Sequence, residues 1–169
     1  DGFRFVTSGE TYTAPTAILA YGLTHRHLNV PGEEEFIGHG VTYCATCDAP
    51  LYKDKSVVVV GGGNSAMDAS LLIANLNAQV TLLSTKDELH GERVLIDRVK
   101  STPSITHVPS VTVTKISGGK HVESLTYTQN GIEHVVPASG VFVEIGFTVN
   151  PQLVRELVTL DPRNQIIIN

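Results

Sequence analysis

Ser56 to Ile73 reads SVVVVGGGNSAMDASLLI, and no other stretch limits the fold as tightly. Val57 to Val60 are consecutive β-branched residues, the pattern of a short strand buried on both faces. The run stops at Gly61-Gly62-Gly63. Asn64 or Ser65 can then cap a helix, because Ala66, Met67, Leu71, Ile73 and Ala74 recur at helical spacing. The predicted unit is a strand, a glycine turn and a helix N-terminus. A second strand, Gln79 to Leu83, follows about 20 residues after the turn, as a dinucleotide-binding βαβ unit requires.

The chemistry follows from the backbone. Gly61 permits the tight turn, and Gly63 lets a pyrophosphate approach the main chain. Ala66 stands where such motifs carry a third small residue and keeps the helix close to the strand. Free N–H groups of Gly61, Gly62, Gly63, Asn64 and Ser65, aided by the helix dipole, are the expected phosphate ligands. The plainer alternative is a glycine-rich βα turn that binds nothing.

With 169 residues the chain is long enough to bury a domain core. Its net charge of −5 offers no basic footprint, which argues against nucleic acid as a partner. No apolar run has the length of a membrane span and no signal peptide opens the sequence, so a cytoplasmic location with no membrane partner is expected. The ends read as cut. Asp1-Gly2 runs straight into FRFV, and the chain stops within QIIIN, so the expectation is a piece of a longer protein.

Elsewhere the patterns predict strands at Phe3 to Val6, Thr11 to Ala14 and Thr16 to Tyr21, the first two around a turn at Ser8-Gly9. Leu23 to Gly40 reads as a polar crossing segment, with Glu33-Glu34-Glu35 as a solvated helix start after Pro31. Asp87 to Lys100 reads as an amphipathic helix. Val111 to Ile116, Val122 to Thr128 and Ile132 to Val136 alternate and are separated by Gly118-Gly119 and Asn130-Gly131, which predicts an antiparallel meander. Val141 to Gly146 is a further buried strand, and Gln152 to Leu160 an expected helix. The fold class is α/β: a Rossmann-like parallel sheet with helices and a β-meander.

Cys44-Ala45-Thr46-Cys47-Asp48 holds both cysteines of the chain. Two thiols at this spacing can close a small disulfide and pass electrons on by exchange. Asp48, beside Cys47, can supply or accept the proton that exchange requires. Two alternatives stand beside this reading. One is zinc held by Cys44, Cys47, His39 and either His25 or His27, and the other is a pair of inert buried thiols.

Taken together, GVTYCATCDAP, GGGNSA and VFVEIGFTVN, in that order, closely resemble the low-molecular-weight thioredoxin reductases. They also resemble a relative of these, the flavoprotein subunit of alkyl hydroperoxide reductase. The resemblance runs from Phe3 to the C-terminus, and the combination is far more specific than either motif alone. It implies two Rossmann-like domains, with the NAD(P)H domain inserted into a discontinuous FAD domain. Residues 1–27 would end the first FAD segment, 28–146 would form the NAD(P)H domain, and 147–169 would begin the returning segment. ILAYG would match an ATG-type strand end, with Tyr21 where threonine is usual. The flavin glycine motif and the Gly-Asp motif are both missing from the sequence, so FAD is expected in the full-length parent and not held by this piece.

The same resemblance implies roles. Electrons would pass from NADPH through FAD to Cys44–Cys47 and on to thioredoxin or a thioredoxin-like protein, in a homodimeric parent. Cys47 would face the flavin, Cys44 would attack the acceptor disulfide, and Asp48 would be the acid/base. Ile145 and Gly146 would join the cofactor contacts. Ala49, Glu144 and Val149 depart from the family pattern, which has glycine, an apolar residue and proline there. Where NADP-using members carry an HRRxxxR pattern, this chain offers Ser84, Thr85, Lys86 and His90. No residue there is acidic, as an NAD site would require, so NADPH is the expected donor with NADH possible. The alternatives are an NADH-dependent peroxiredoxin-type flavoprotein reductase and a dinucleotide-binding fragment without activity.

Overall fold

The computed structural model describes residues 2–162 and 165–168. Its chain divides into two compact units, one of Asp1–Thr24 with Val149–Asn169 and one of His25–Thr148. The smaller unit opens with an antiparallel pair, β1 (Phe3–Val6) and β2 (Thr11–Ala14), in the register Phe3 to Ala14. Thr7 shapes the turn, its Oγ1 accepting from the N–H of Glu10 at 3.1 Å.

The predicted strand at Thr16 to Tyr21 is absent: this run is irregular, and Ile18 is 96% exposed. An apolar run becomes a strand only through a paired neighbour, and no described strand lies against this one. The expected helix at Gln152 to Leu160 reduces to a 3-10 turn, Pro151–Leu153, followed by turns. Of the QIIIN run, Ile166 makes one isolated bridge, to Leu160. Asn169 lies outside the described residues.

The larger unit begins within β3 (Thr24–His25) and carries the sequence-predicted α/β core. Next come β4 (Val41–Thr42), the short helix α1 (Ala45–Asp48) and a 3-10 turn, Ala49–Tyr52. The central βαβ unit is β5 (Ser56–Val60), α2 (Asn64–Ala74) and β6 (Gln79–Leu83). Then α3 (Arg93–Ser101) leads to β7 (Ile105–Val108). The meander is β8 (Val111–Gly118), β9 (Val122–Gln129) and β10 (Ile132–Pro137), and the chain returns through β11 (Val141–Val143) to β12 (Phe147–Thr148). β4, β11, β5, β6 and β7 lie in that order in one parallel sheet.

Alternation along β5 builds two cores. Val57 and Val59 face a cluster with Ala66, Met67 and Ile73 of α2, Leu95 and Val99 of α3, and Phe142. Val58 and Val60 face the meander side, with Val111, Ile116, Val122 and Leu125. Covering both sheet faces is what the valine run demanded.

Three boundaries differ from the sequence reading. Gly63, not Asn64 or Ser65, is the residue before the first turn of α2, and it provides no side-chain cap. α3 starts at Arg93 and not at Asp87, because the preceding loop folds back on the glycine turn: His90 N–H donates to Gly62 O at 2.9 Å. β11 ends at Val143. The acidic run is a correction of another kind. Glu33 is only 2% exposed, and its carboxylate accepts from the N–H groups of Leu28 (2.8 Å) and Asn29 (2.7 Å) and from Tyr43 Oη (2.9 Å). Its burial is therefore compensated by hydrogen bonds, and the crossing segment is anchored to Tyr43, the residue before Cys44.

Candidate active site

The glycine turn is built for close approach. Gly61 has φ +149°, and a Cβ there would lie 2.3 Å from Glu144 O and 2.8 Å from Ala66 Cβ. A Cβ on Gly62 would stand 3.1 Å from Ser84 Cβ and 3.4 Å from the His90 ring. Above the turn is a cleft of about 440 Å³, lined by Gly61, Gly62, Gly63, Asn64, Ser65, Thr85, His90, Ile145 and Gly146. The expected cofactor residues thus converge, apart from two. Ser84 is 3% exposed; its hydroxyl donates to Lys86 O at 2.9 Å and lies 2.8 Å from His107 Nε2. Lys86 is exposed and does not line the cleft.

Sequence reasoning missed Gly91 and Glu144 as parts of the same cleft. Gly91, at φ +141°, is forced by crowding: a Cβ would sit 1.9 Å from Asn64 Oδ1. That oxygen accepts the N–H of Glu92 at 2.8 Å, so Asn64 clamps the 85–92 loop onto the start of α2. Gly91, a glycine inside the stretch read as helix, was the available signal.

Cys44 and Cys47 form a disulfide with Cα atoms 5.3 Å apart. The two sulfurs are paired with each other, and among the described residues no group of three or more His, Cys, Asp or Glu is placed to hold a metal ion. Cys44, in extended conformation, caps α1: its Sγ accepts the N–H of Cys47 at 3.3 Å. Cys44 is half-buried and Cys47 is exposed. Thr42 Oγ1 accepts the N–H of Cys44 at 3.2 Å and donates to Asp48 Oδ2, so the carboxylate sits in a bonded frame around the redox turn.

Tyr43 stands next to Cys44, with its hydroxyl 2.8 Å from His27 Nδ1 and donating to Glu33. Burial, and then the Glu33 carboxylate, push its phenol well above the usual tyrosine range, so it stays a donor.

A second cleft of about 490 Å³ runs beside the disulfide, lined by His25, Tyr43, Cys44, Thr46, Asp68 and Phe147 among others. Ser65 and Glu144 line both this groove and the glycine cleft. Burial pushes the half-buried Glu144 carboxyl up, and the N–H of Ala45 opposes that shift. His107, behind Ser84, is pushed down by burial and by Lys100, against a smaller upward effect of Asp87. No helix among the described residues is long and apolar enough to cross a membrane.

Comparison with known proteins bears directly on this arrangement. Residues 3–169 match the sequence model of the pyridine nucleotide-disulphide oxidoreductases. The F component of alkyl hydroperoxide reductase from Pseudomonas putida is 39% identical over 167 residues, covering 97% of this chain and 32% of the relative. Thioredoxin reductase of T. acidophilum superposes with a TM-score of 0.89 at 33% identity, covering 99% of this chain and 56% of that one. Thioredoxin reductase of Lactococcus lactis, in its FR conformation, gives 0.89 at 28% identity, with 98% and 56% covered. The chain therefore spans about a third of the curated relative and just over half of the solved reductases. A glycine-turn cleft adjoining a CxxC disulfide, in a fold shared with the thioredoxin reductases, places this chain in the pyridine nucleotide-disulphide oxidoreductase family.

Proposed function

We propose that this chain is the nicotinamide-binding and redox-disulfide part of a flavin-dependent disulfide reductase. The observation that carries the reading is the adjacency of the two clefts, which share Ser65 and Glu144. Residues 28–146 are the NAD(P)H domain in this reading, and 1–27 and 147–169 belong to the discontinuous FAD domain of the parent.

The residues fit a dinucleotide. Gly61 and Gly62 leave space that a Cβ would fill, and the start of α2 has no side-chain cap to compete for its N–H groups. Gly61, Gly62, Gly63, Asn64 and Ser65 would hold the phosphates, with Ile145 and Gly146 on the far wall. Thr85 and His90 would meet the adenosine ribose side, with Lys86 adding exposed positive charge nearby. That composition favours NADPH over NADH, since no acidic residue awaits a free 2′-hydroxyl. Bound NADPH, together with the parent's FAD, would supply two electrons to the disulfide.

Reduction of Cys44–Cys47 takes two electrons and two protons and gives two thiols. The Cys44 thiolate then attacks an acceptor disulfide, forming a mixed disulfide and releasing one acceptor thiolate. The Cys47 thiolate attacks Cys44 Sγ, restores the disulfide and releases the second acceptor thiolate. The acceptor ends with both protons, and Asp48 carries one of them between sulfurs. A thioredoxin-like protein is the acceptor in this reading. A peroxidase-system protein is the second reading, favoured by the name of the P. putida relative. Assaying the intact, dimeric parent with NADPH against thioredoxin and against a peroxiredoxin tests both. Turnover of neither defeats the proposal.

A further inference from the structure

Thr42 is a residue to which neither the glycine cleft nor the exchange sequence assigns a part. It lies on β4, paired with Phe142 of β11, and is 8% exposed. Its main chain is therefore fixed by the sheet, independently of the redox turn. Its single hydroxyl makes two bonds of opposite sense. It accepts from Cys44 N–H, and it donates its only proton to Asp48 Oδ2. Asp48 also returns to the same residue through its own amide, which donates to Cys44 O at 3.1 Å. One oxygen on a rigid strand thus registers the Cys44 main chain against the Asp48 carboxylate.

We propose that Thr42 is a positioning residue for disulfide exchange, its hydroxyl holding the Asp48 carboxyl in the one orientation from which it hands a proton to the departing acceptor thiolate. This rests on the acid/base role of Asp48 in the reading above. A half-buried aspartate on a four-residue helix otherwise has several χ1 and χ2 rotamers open to it. Holding one of them removes that search from each proton transfer, which is the usual gain from orientation. Valine at this position keeps the shape and loses both bonds. Serine keeps both bonds.

The test uses the 169-residue chain, reduced with dithiothreitol and desalted, so neither cofactor is involved. Exchange is followed with two probes. Hydroxyethyl disulfide releases an alkyl thiolate that must take a proton. An aromatic disulfide, 5,5′-dithiobis(2-nitrobenzoate), releases a stable thiolate that needs none. Thr42→Val is expected to slow the alkyl reaction about tenfold, a share of the full acid–base contribution, and to flatten its pH profile. It leaves the aromatic reaction at the wild-type rate, which also reports that the redox turn is folded. Thr42→Ser retains both rates. Asp48→Asn slows the alkyl reaction at least as much as Thr42→Val, and the double variant is no slower than Asp48→Asn alone.

Equal slowing with both probes, a wild-type alkyl rate in Thr42→Val, or additive losses in the double variant would overturn the proposal. A wild-type alkyl rate in Asp48→Asn would overturn the acid/base role itself, and the Thr42 proposal with it. Loss in Asp48→Asn without loss in Thr42→Val sinks the Thr42 proposal alone.

Discussion

Gly61 and Ala66 stand so close that a Cβ on Gly61 would lie 2.8 Å from the Ala66 methyl. That approach brings the start of α2 down onto the end of β5 and opens the cleft above it. Gly61→Ala therefore meets two obstacles, the 2.3 Å contact with Glu144 O and a φ of +149°. The expected cost is about 1–3 kcal/mol of stability. In calorimetry, the folded variant is expected to lose measurable binding of NADPH. Wild-type affinity would show that the turn is not the phosphate site.

Glu144 supplies a pH test. Burial raises its carboxyl above the ordinary value of 4.5. Between that value and the raised one, the folded chain keeps a proton that the unfolded chain has lost. Stability therefore falls as pH rises through this window. Glu144→Gln removes the effect, so its Tm should gain on the wild type as pH rises from 4.5 toward neutrality. A gap between the two Tm values that is constant with pH contradicts the assignment.

The α/β core was legible because the valine run, the glycines and the next strand are local patterns with one common solution. The meander was legible for the same reason, from Asn130-Gly131 and alternation. What was not legible depends on partners distant in sequence. Glu33 reads as solvent-facing until Tyr43 and two main-chain N–H groups close around it. Ser84 follows its strand as an exposed donor would, yet His107 and the Lys86 carbonyl claim its hydroxyl. Glu144 reads as an intruder in an apolar strand because the sequence cannot show that two clefts meet there. The helix cap failed for the same reason: Asn64 reaches across to Glu92 instead of back to its own turn.

Cofactor choice separates Lys86 from His90. His90 lines the cleft and Lys86 does not. The wild-type parent is expected to show a modest kcat/KM preference for NADPH over NADH. Loss of one partly exposed charge contact of about 1 kcal/mol should cut that ratio about fivefold. Measuring both cofactors in Lys86→Ala and His90→Ala tells which residue supplies it. Preference for NADH in the wild type, or an unchanged ratio in both variants, removes these residues from the cofactor site.

Cys44→Ser and Cys47→Ser test the route in the intact parent. Each is expected to abolish thioredoxin reduction while leaving flavin bleaching by NADPH in place. Near-normal turnover in either variant would remove the pair from the path.

Nicotinamide electrons are expected to reach this disulfide. The direct measurement is anaerobic titration of the intact parent with NADPH, followed by alkylation and peptide mass mapping. Two equivalents of NADPH per subunit, one for the flavin and one for the disulfide, are predicted to leave both Cys44 and Cys47 alkylated. Consumption of two equivalents of NADPH per subunit with Cys44 and Cys47 still disulfide-bonded would contradict this route.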